Sequence, residues 1–180
     1  MKKLILLSIL LFVAVLSFSQ SYLGWITSKV NFREQPSKDA LILCSLKPGR
    51  QIFIVSLETD DDFYNIVDIR TNTEGYVSKK FVKVGKFVKE SDQGTFTSSE
   101  ETTSYNPSIE VFNNTNIMLS LKLNSKTYSF NPNEKSSITI IPTTMNYRAS
   151  APGVIPKYGE KTFESNHNYT WQFYIVTKRR

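Results

Sequence analysis

A two-residue rhythm of apolar side chains, with no helical counterpart, most limits what this chain can become. It is clean from Ser108 onward. Ile109 pairs with Val111, and Met118 or Leu119 leads to Leu121 and Leu123. Tyr128 and Phe130, Ile138 and Ile140, and Tyr147, Ala149 and Ala151 step the same way, as do Tyr169, Trp171, Phe173 and Ile175. Successive side chains of a strand point to opposite faces, so this period marks strands with one face buried and one wet. Asn113-Asn114, Asn131-Pro132-Asn133 and Pro152-Gly153 supply turns, because these residues preset or tolerate turn dihedrals. About seven such strands fit two sheets packed face to face, so residues 108–180 are expected to form an antiparallel β-sandwich.

The earlier part of the chain is built from shorter runs: Ile52 to Val55, Phe63 to Ile69, Tyr76-Val77 and Phe81-Val82. Lys47-Pro48-Gly49 and Asn72-Thr73-Glu74-Gly75 are the turn candidates between them. Short runs between polar turns indicate a barrel or sandwich. Residues 88–107 are rich in Ser, Thr and Glu and nearly free of aliphatic residues. Such a segment buries too little apolar area to offset its ordering entropy, and a flexible linker is expected there. The fold class is therefore all-β.

Residues 1–19 have the three parts of an export signal. Lys2 and Lys3 are followed by the apolar run Leu4 to Leu16, interrupted only by Ser8, and then by Ser17-Phe18-Ser19. Small residues at Ser17 and Ser19 suit a signal peptidase, with Gln20 as the new N-terminus. The run is shorter than the ~20 residues that a membrane-crossing helix needs. No cysteine lies near the cut to carry a lipid. The expected product is exported to the periplasm or beyond, with no stable membrane anchor. Removing Lys2 and Lys3 lowers the formal net charge from +6 to +4. No basic stripe alternates with stacking aromatics, so nucleic acid is not an expected partner.

Through Val30-Asn31-Phe32-Arg33, Leu46-Lys47-Pro48-Gly49, Phe63-Tyr64-Asn65-Ile66 and Gly75-Tyr76-Val77, residues 24–84 resemble the bacterial SH3 family. Val30-Asn31-Phe32-Arg33 is similar to its Leu-Asn-Val-Arg strand, with Pro36-Ser37 in the next loop. Leu46-Lys47-Pro48-Gly49 corresponds to the turn before its central strand. Phe63-Tyr64-Asn65-Ile66 stands for Trp-x-x-Val, and Gly75-Tyr76-Val77 for Gly-Trp-Val. Phe63 and Tyr76 thus replace two tryptophans, which keeps aromaticity but removes an indole N–H. The resemblance covers about a third of the chain and implies a small SH3-like barrel over 20–87 that binds peptidoglycan or peptide. The second half resembles small transthyretin-like or immunoglobulin-like sandwiches of exported proteins, through Pro142, Tyr147 and Ala149-Ser150-Ala151-Pro152-Gly153.

Catalysis requires a positioned set of groups. The chain has one histidine, His167, between two asparagines, and one cysteine, Cys44. His167 reads as a surface residue of a turn. Cys44, between Leu43 and Leu46, reads as a buried free thiol, with intermolecular pairing as the alternative. Asp60-Asp61-Asp62 lacks the alternate spacing and turn glycine of a calcium loop, and reads as solvated charge. No cofactor, metal site or enzymatic activity is expected.

Binding remains. In SH3-like barrels a shallow aromatic groove is the usual site, and its candidates here are Trp25, Phe32, Arg33, Phe63 and Tyr76. Alternation puts Tyr64 in the core with Ile66 and turns Phe63 outward. In the second half, Tyr147, Tyr158 and Tyr169 with Arg148, Lys157 and Lys161 make either a basic aromatic surface or a solvated sheet face. The expected function is that of an exported, non-enzymatic protein whose barrel docks on cell-wall peptide or another envelope component. The alternative is a structural or interaction protein of the envelope, whose sandwich holds a protein partner or serves secretion.

Overall fold

The computed structural model describes residues 20–90 and 96–173. The export signal expected over 1–19 lies outside the described residues. Within them the chain is all-β, and its only helical element is a single 3-10 turn, Lys79–Phe81.

Seven strands form the first sheet: β1 (Ser21–Ile26), β2 (Val30–Arg33), β3 (Ile42–Leu46), β4 (Gln51–Ile54), β5 (Phe63–Asp68), β6 (Thr73–Ser78) and β7 (Val82–Val88). Their order is β3-β2-β6-β5-β4-β1-β7, and every pairing is antiparallel. Ile26, Val30, Phe32, Leu46, Ile52, Ile54, Ile66 and Val77 share one core, with Tyr22, Tyr64, Phe81 and Val82 packed on it. All seven strands contribute to that core, so the sheet curls around it.

Local chemistry sets the turns. Asp61 and Asp62, both at positive φ, form the two-residue tip of a hairpin closed by backbone bonds between Asp60 and Phe63. Aspartate tolerates that left-handed backbone, and two such residues match the twist of the flanking strands. The next turn lies over Ile69–Asn72, earlier than expected. Asp68 closes it by accepting from Arg70 N–H and the Thr71 hydroxyl. Gly75 is therefore not a turn residue. It sits inside β6, where a Cβ would lie 2.5 Å from Arg33 O and 2.8 Å from the Phe32 ring. Its missing side chain lets β2 cross close by.

The second unit is two four-stranded sheets around one core. Its strands are β8 (Thr97–Glu101), β9 (Ser108–Asn113), β10 (Leu119–Leu123), β11 (Lys126–Phe130), β12 (Lys135–Thr139), β13 (Thr143–Ala151), β14 (Val154–Phe163) and β15 (His167–Phe173). The sheets run β11-β10-β13-β14 and β12-β9-β15-β8. Leu119, Leu121, Leu123, Tyr147, Ala149 and Ala151 of one face Ile109, Val111, Tyr169 and Trp171 of the other. Asn113, fully buried, fastens one end. Its amide donates to Ile117 O, Phe130 O and Asn131 O, and its Oδ1 accepts from Thr115 N–H and Oγ1.

Two expectations change here. Part of the 88–107 segment is not linker: β8 pairs with β15, and Phe96 is buried among Tyr147, Phe163 and Trp171. One aromatic residue in a polar run supplies the burial that the run's composition lacks. The sandwich is also not purely antiparallel, because β15 lies between β8 and β9 and runs parallel to β9.

The two units are packed together. Phe53, Val67 and Ile69 of the first enclose Tyr158 of β14, with Leu23, Val55 and Val88 around them. The Tyr158 hydroxyl donates to Val88 O at 2.6 Å and accepts from Ser21 N–H at 3.2 Å. Gly153 N–H donates to Ile69 O at 2.7 Å, and Asn72 Nδ2 to Ser120 Oγ at 3.1 Å. β4 and β5 are thus covered on both faces.

Candidate binding surface

The five groove candidates do not converge. Phe32 is fully buried in the first core and Phe63 is 6% exposed. Neither can touch a ligand without the sheet opening, so both are corrected to packing residues. Phe32 alternates inward with Val30. Phe63 lies on the face opposite Tyr64 and Ile66, as expected, but its own side chain is buried there. Trp25, Arg33 and Tyr76 are half-buried. Trp25 lies on β1 with its ring over Gly85 of β7, where a Cβ would intrude into it. Two strands, β5 and β4, separate it from Tyr76 on β6.

Arg33 and Tyr76 do meet. They are direct partners across β2 and β6, Tyr76 is opposite Asn65 on β5, and Arg33 is opposite Ile42 on β3. A row of side chains therefore runs Asn65, Tyr76, Arg33, Ile42 to the end of the sheet. Arg33 Nη1 donates to Ala40 O at 2.6 Å, which holds the guanidinium in place.

The row ends on an open strand. Among the described residues β3 pairs only with β2, and Leu41, Ile42 and Leu43 are 67%, 47% and 39% exposed. Cys44 is exposed as well, which corrects its expected burial. The apolar run around it is continuous, and such runs are usually covered. Here the strand order puts it at the edge of the sheet, with β2 as its one neighbour among the described residues.

Tyr158 and Arg148 form no open basic surface, and Tyr147 and Tyr169 lie inside the sandwich core. Lys122, Arg148 and Tyr158 are successive partners across β10, β13 and β14, on the face turned to the first sheet. Glu74 of β6 meets the two cations: Lys122 Nζ lies 2.9 Å and Arg148 Nη2 2.5 Å from Oε2. Burial alone would raise the Glu74 carboxyl. Hydrogen bonds and charge from Arg148 and Lys122 outweigh it and hold the group at about 2. Sequence alone missed this joint. Its one trace is the unbroken apolar run Ile52 to Val55, which marks a strand covered on both sides.

The remaining chemistry-bearing residues stay apart. His167, on β15 of the second unit, has its Nδ1 2.9 Å from Ser165 O in the turn before that strand, whereas Cys44 lies on β3 of the first. Asp62 pairs with Lys79 at 2.6 Å, and that ammonium keeps its carboxyl below the usual carboxylate range. Among the described residues, no group of three or more His, Cys, Asp or Glu is arranged to hold a metal. In comparisons with known proteins, no family model, no curated protein and no solved structure matches the chain.

Proposed function

We propose that this is an exported, non-enzymatic binding protein of the cell envelope, and that its first unit is an SH3-like small barrel docking on cell-wall peptide or another envelope component. Support for the barrel comes from the motif residues over 24–84 together with the antiparallel sheet that curls around one core. Support for binding rests on one observation: Tyr76 and Arg33 stand side by side on the outer face, with Ile42 next in the row. A tyrosine ring offers large contact area at low entropy cost. An arginine fork matches carboxylates in bidentate geometry, and peptide termini and wall peptides carry carboxylates.

The test is sedimentation of the mature chain, residues 20–180, with purified peptidoglycan. Arg33→Ala and Tyr76→Ala should each lower the bound fraction several-fold. Trp25→Ala, on a distant strand, should leave it unchanged. No co-sedimentation of the parent chain, or equal loss in all three variants, removes this reading.

A further inference from the structure

We propose that the rim of the first unit along β7 binds the surface of anionic lipid bilayers. Lys80, Lys83 and Lys86 meet lipid phosphates there, and Phe87 with Val84 enters the headgroup layer. This surface lies apart from the proposed docking row. β1, β4 and β5 separate β7 from β6, and Arg33 and Tyr76 stand on the opposite face of the sheet.

The first observation is charge. Residues 20–33 and 75–89, which include all of β1 and β7, hold seven lysines and arginines and no aspartate or glutamate. Asp62 neutralises Lys79. Lys80, Lys83 and Lys86 are exposed, and Lys80 Nζ lies 4.8 Å from the centre of the Phe81 ring. Lysines alone would do no more than guard an edge strand against pairing.

The second observation is apolar surface that such a guard does not need. β7 carries one residue more than β1 between the pairs Tyr22/Phe87 and Gly24/Val84. That bulge turns Val84 and Phe87 to the same face, although they are three apart in sequence. Val82, opposite Ile26, lies on this face too and packs on the first core. The core stripe thus continues along β7 as its cover thins, to Val84 at 37% and Phe87 at 50% exposure. Tyr22 props the Phe87 ring edge-on at 5.7 Å. The second unit closes on the other face, through Leu23 and Val88, and does not cover this pair.

An exposed apolar pair interleaved with cations fits a partner that is both anionic and apolar. A soluble polyanion gives Phe87 nothing to enter. A peptide adding as a strand needs a regular edge, which the bulge breaks. A bilayer needs no backbone pairing: lysine stems reach the phosphates while the ring sits among the headgroups. In the mature chain proposed above, Gln20 begins beside this rim, because Tyr22 faces Phe87 and its hydroxyl donates to Gln20 Oε1. The new α-amino group adds one more cation there. One ring and a few charges give reversible attachment.

Flotation of the mature chain with lipid vesicles is the test. Vesicles of about 30% phosphatidylglycerol in phosphatidylcholine, at about 50 mM salt, should carry the parent chain, and pure phosphatidylcholine should bind it at least tenfold more weakly. Each lysine contributes about fivefold at an anionic surface, so Lys83→Gln/Lys86→Gln should bind about 25-fold more weakly. Lys126→Gln/Lys157→Gln, the same change at exposed lysines of the second unit, should bind as the parent does. Phe87→Ser should bind several-fold more weakly with an unchanged circular dichroism spectrum. Phe87→Trp should shift its emission to the blue on anionic vesicles, beyond any change in the parent. A parent chain that does not float, equal losses in the two lysine pairs, or an unshifted Phe87→Trp emission would overturn the proposal. So would binding to dextran sulfate as tight as to vesicles and unchanged by Phe87→Ser, which would assign the lysines to a soluble polyanion.

Discussion

Replacing Tyr158 should separate the folding of the two halves of this protein. Its ring packs edge-on against Phe53 at a centroid distance of 5.8 Å, and its hydroxyl links Ser21 N–H and Val88 O across the joint. Tyr158→Phe keeps the ring and removes the link, leaving a buried donor and an acceptor unpaired. The expected cost is about 2 kcal/mol, since each buried polar group left unsatisfied costs roughly 1–3 kcal/mol. Tyr158→Ala also empties the ring's place among Phe53, Val67 and Ile69, for a total of about 4 kcal/mol. Trp25 reports on the first unit and Trp171 on the second. With 5-fluorotryptophan incorporated, urea titration followed by fluorine NMR reads both without further mutation. The parent chain should give one shared midpoint. Tyr158→Phe should lower it for both signals together, and Tyr158→Ala should split them. If the alanine variant keeps a shared, unshifted midpoint, or the parent already shows two, the joint carries no coupling and the argument fails.

Two further predictions concern buried polar groups. The Glu74 carboxyl lies at about 2 in the folded chain against 4.5 when free, so between those values the unfolded state binds more protons and stability rises with pH. The contribution is fully present above about pH 5 and fades as pH falls toward 2; allowing for a carboxylate 28% exposed, it is about 2 kcal/mol. Glu74→Gln should therefore destabilise the chain by that amount at pH 7 and by little at pH 2.5, in urea titrations at the two pH values; an equal loss at both would count against the ion pairs. Asn113→Ala should cost about 3 kcal/mol, because its amide serves three carbonyls and its oxygen two Thr115 donors. A change below about 0.5 kcal/mol in the Trp171 transition would show that water replaces those bonds.

Much of the fold was legible along the chain because strand geometry is local. Leu119, Leu121 and Leu123 point inward while Ser120 and Lys122 point out, as period two requires. The turn at Lys47-Pro48-Gly49 also stands where its residues place it, with Gly49 at positive φ. The candidate site was legible only in part. Arg33 and Tyr76 lie together because β6 pairs with β2, a neighbour relation between residues 43 positions apart in number that no local pattern encodes. Phe32 and Phe63 were misplaced for a related reason. An aromatic residue fits a ligand groove and a small core equally well, and only the covering layers decide which it joins.

The sequence by itself determined an all-β chain, its strand-length periods, most of its turns and the inward residues of the sandwich, because those follow from dihedral preference and side-chain alternation. Tertiary structure alone decided which strands became edges, which outer faces were covered and which charges met. It drew Phe96 and β8 into the second sheet, buried Tyr158 against Phe53, and brought Glu74 to Lys122 and Arg148. It also left Leu41, Ile42 and Leu43 in solvent. The physical reason is the range of the forces: backbone preference acts over a few residues, whereas burial and charge pairing depend on segments that meet only after the sheets have closed.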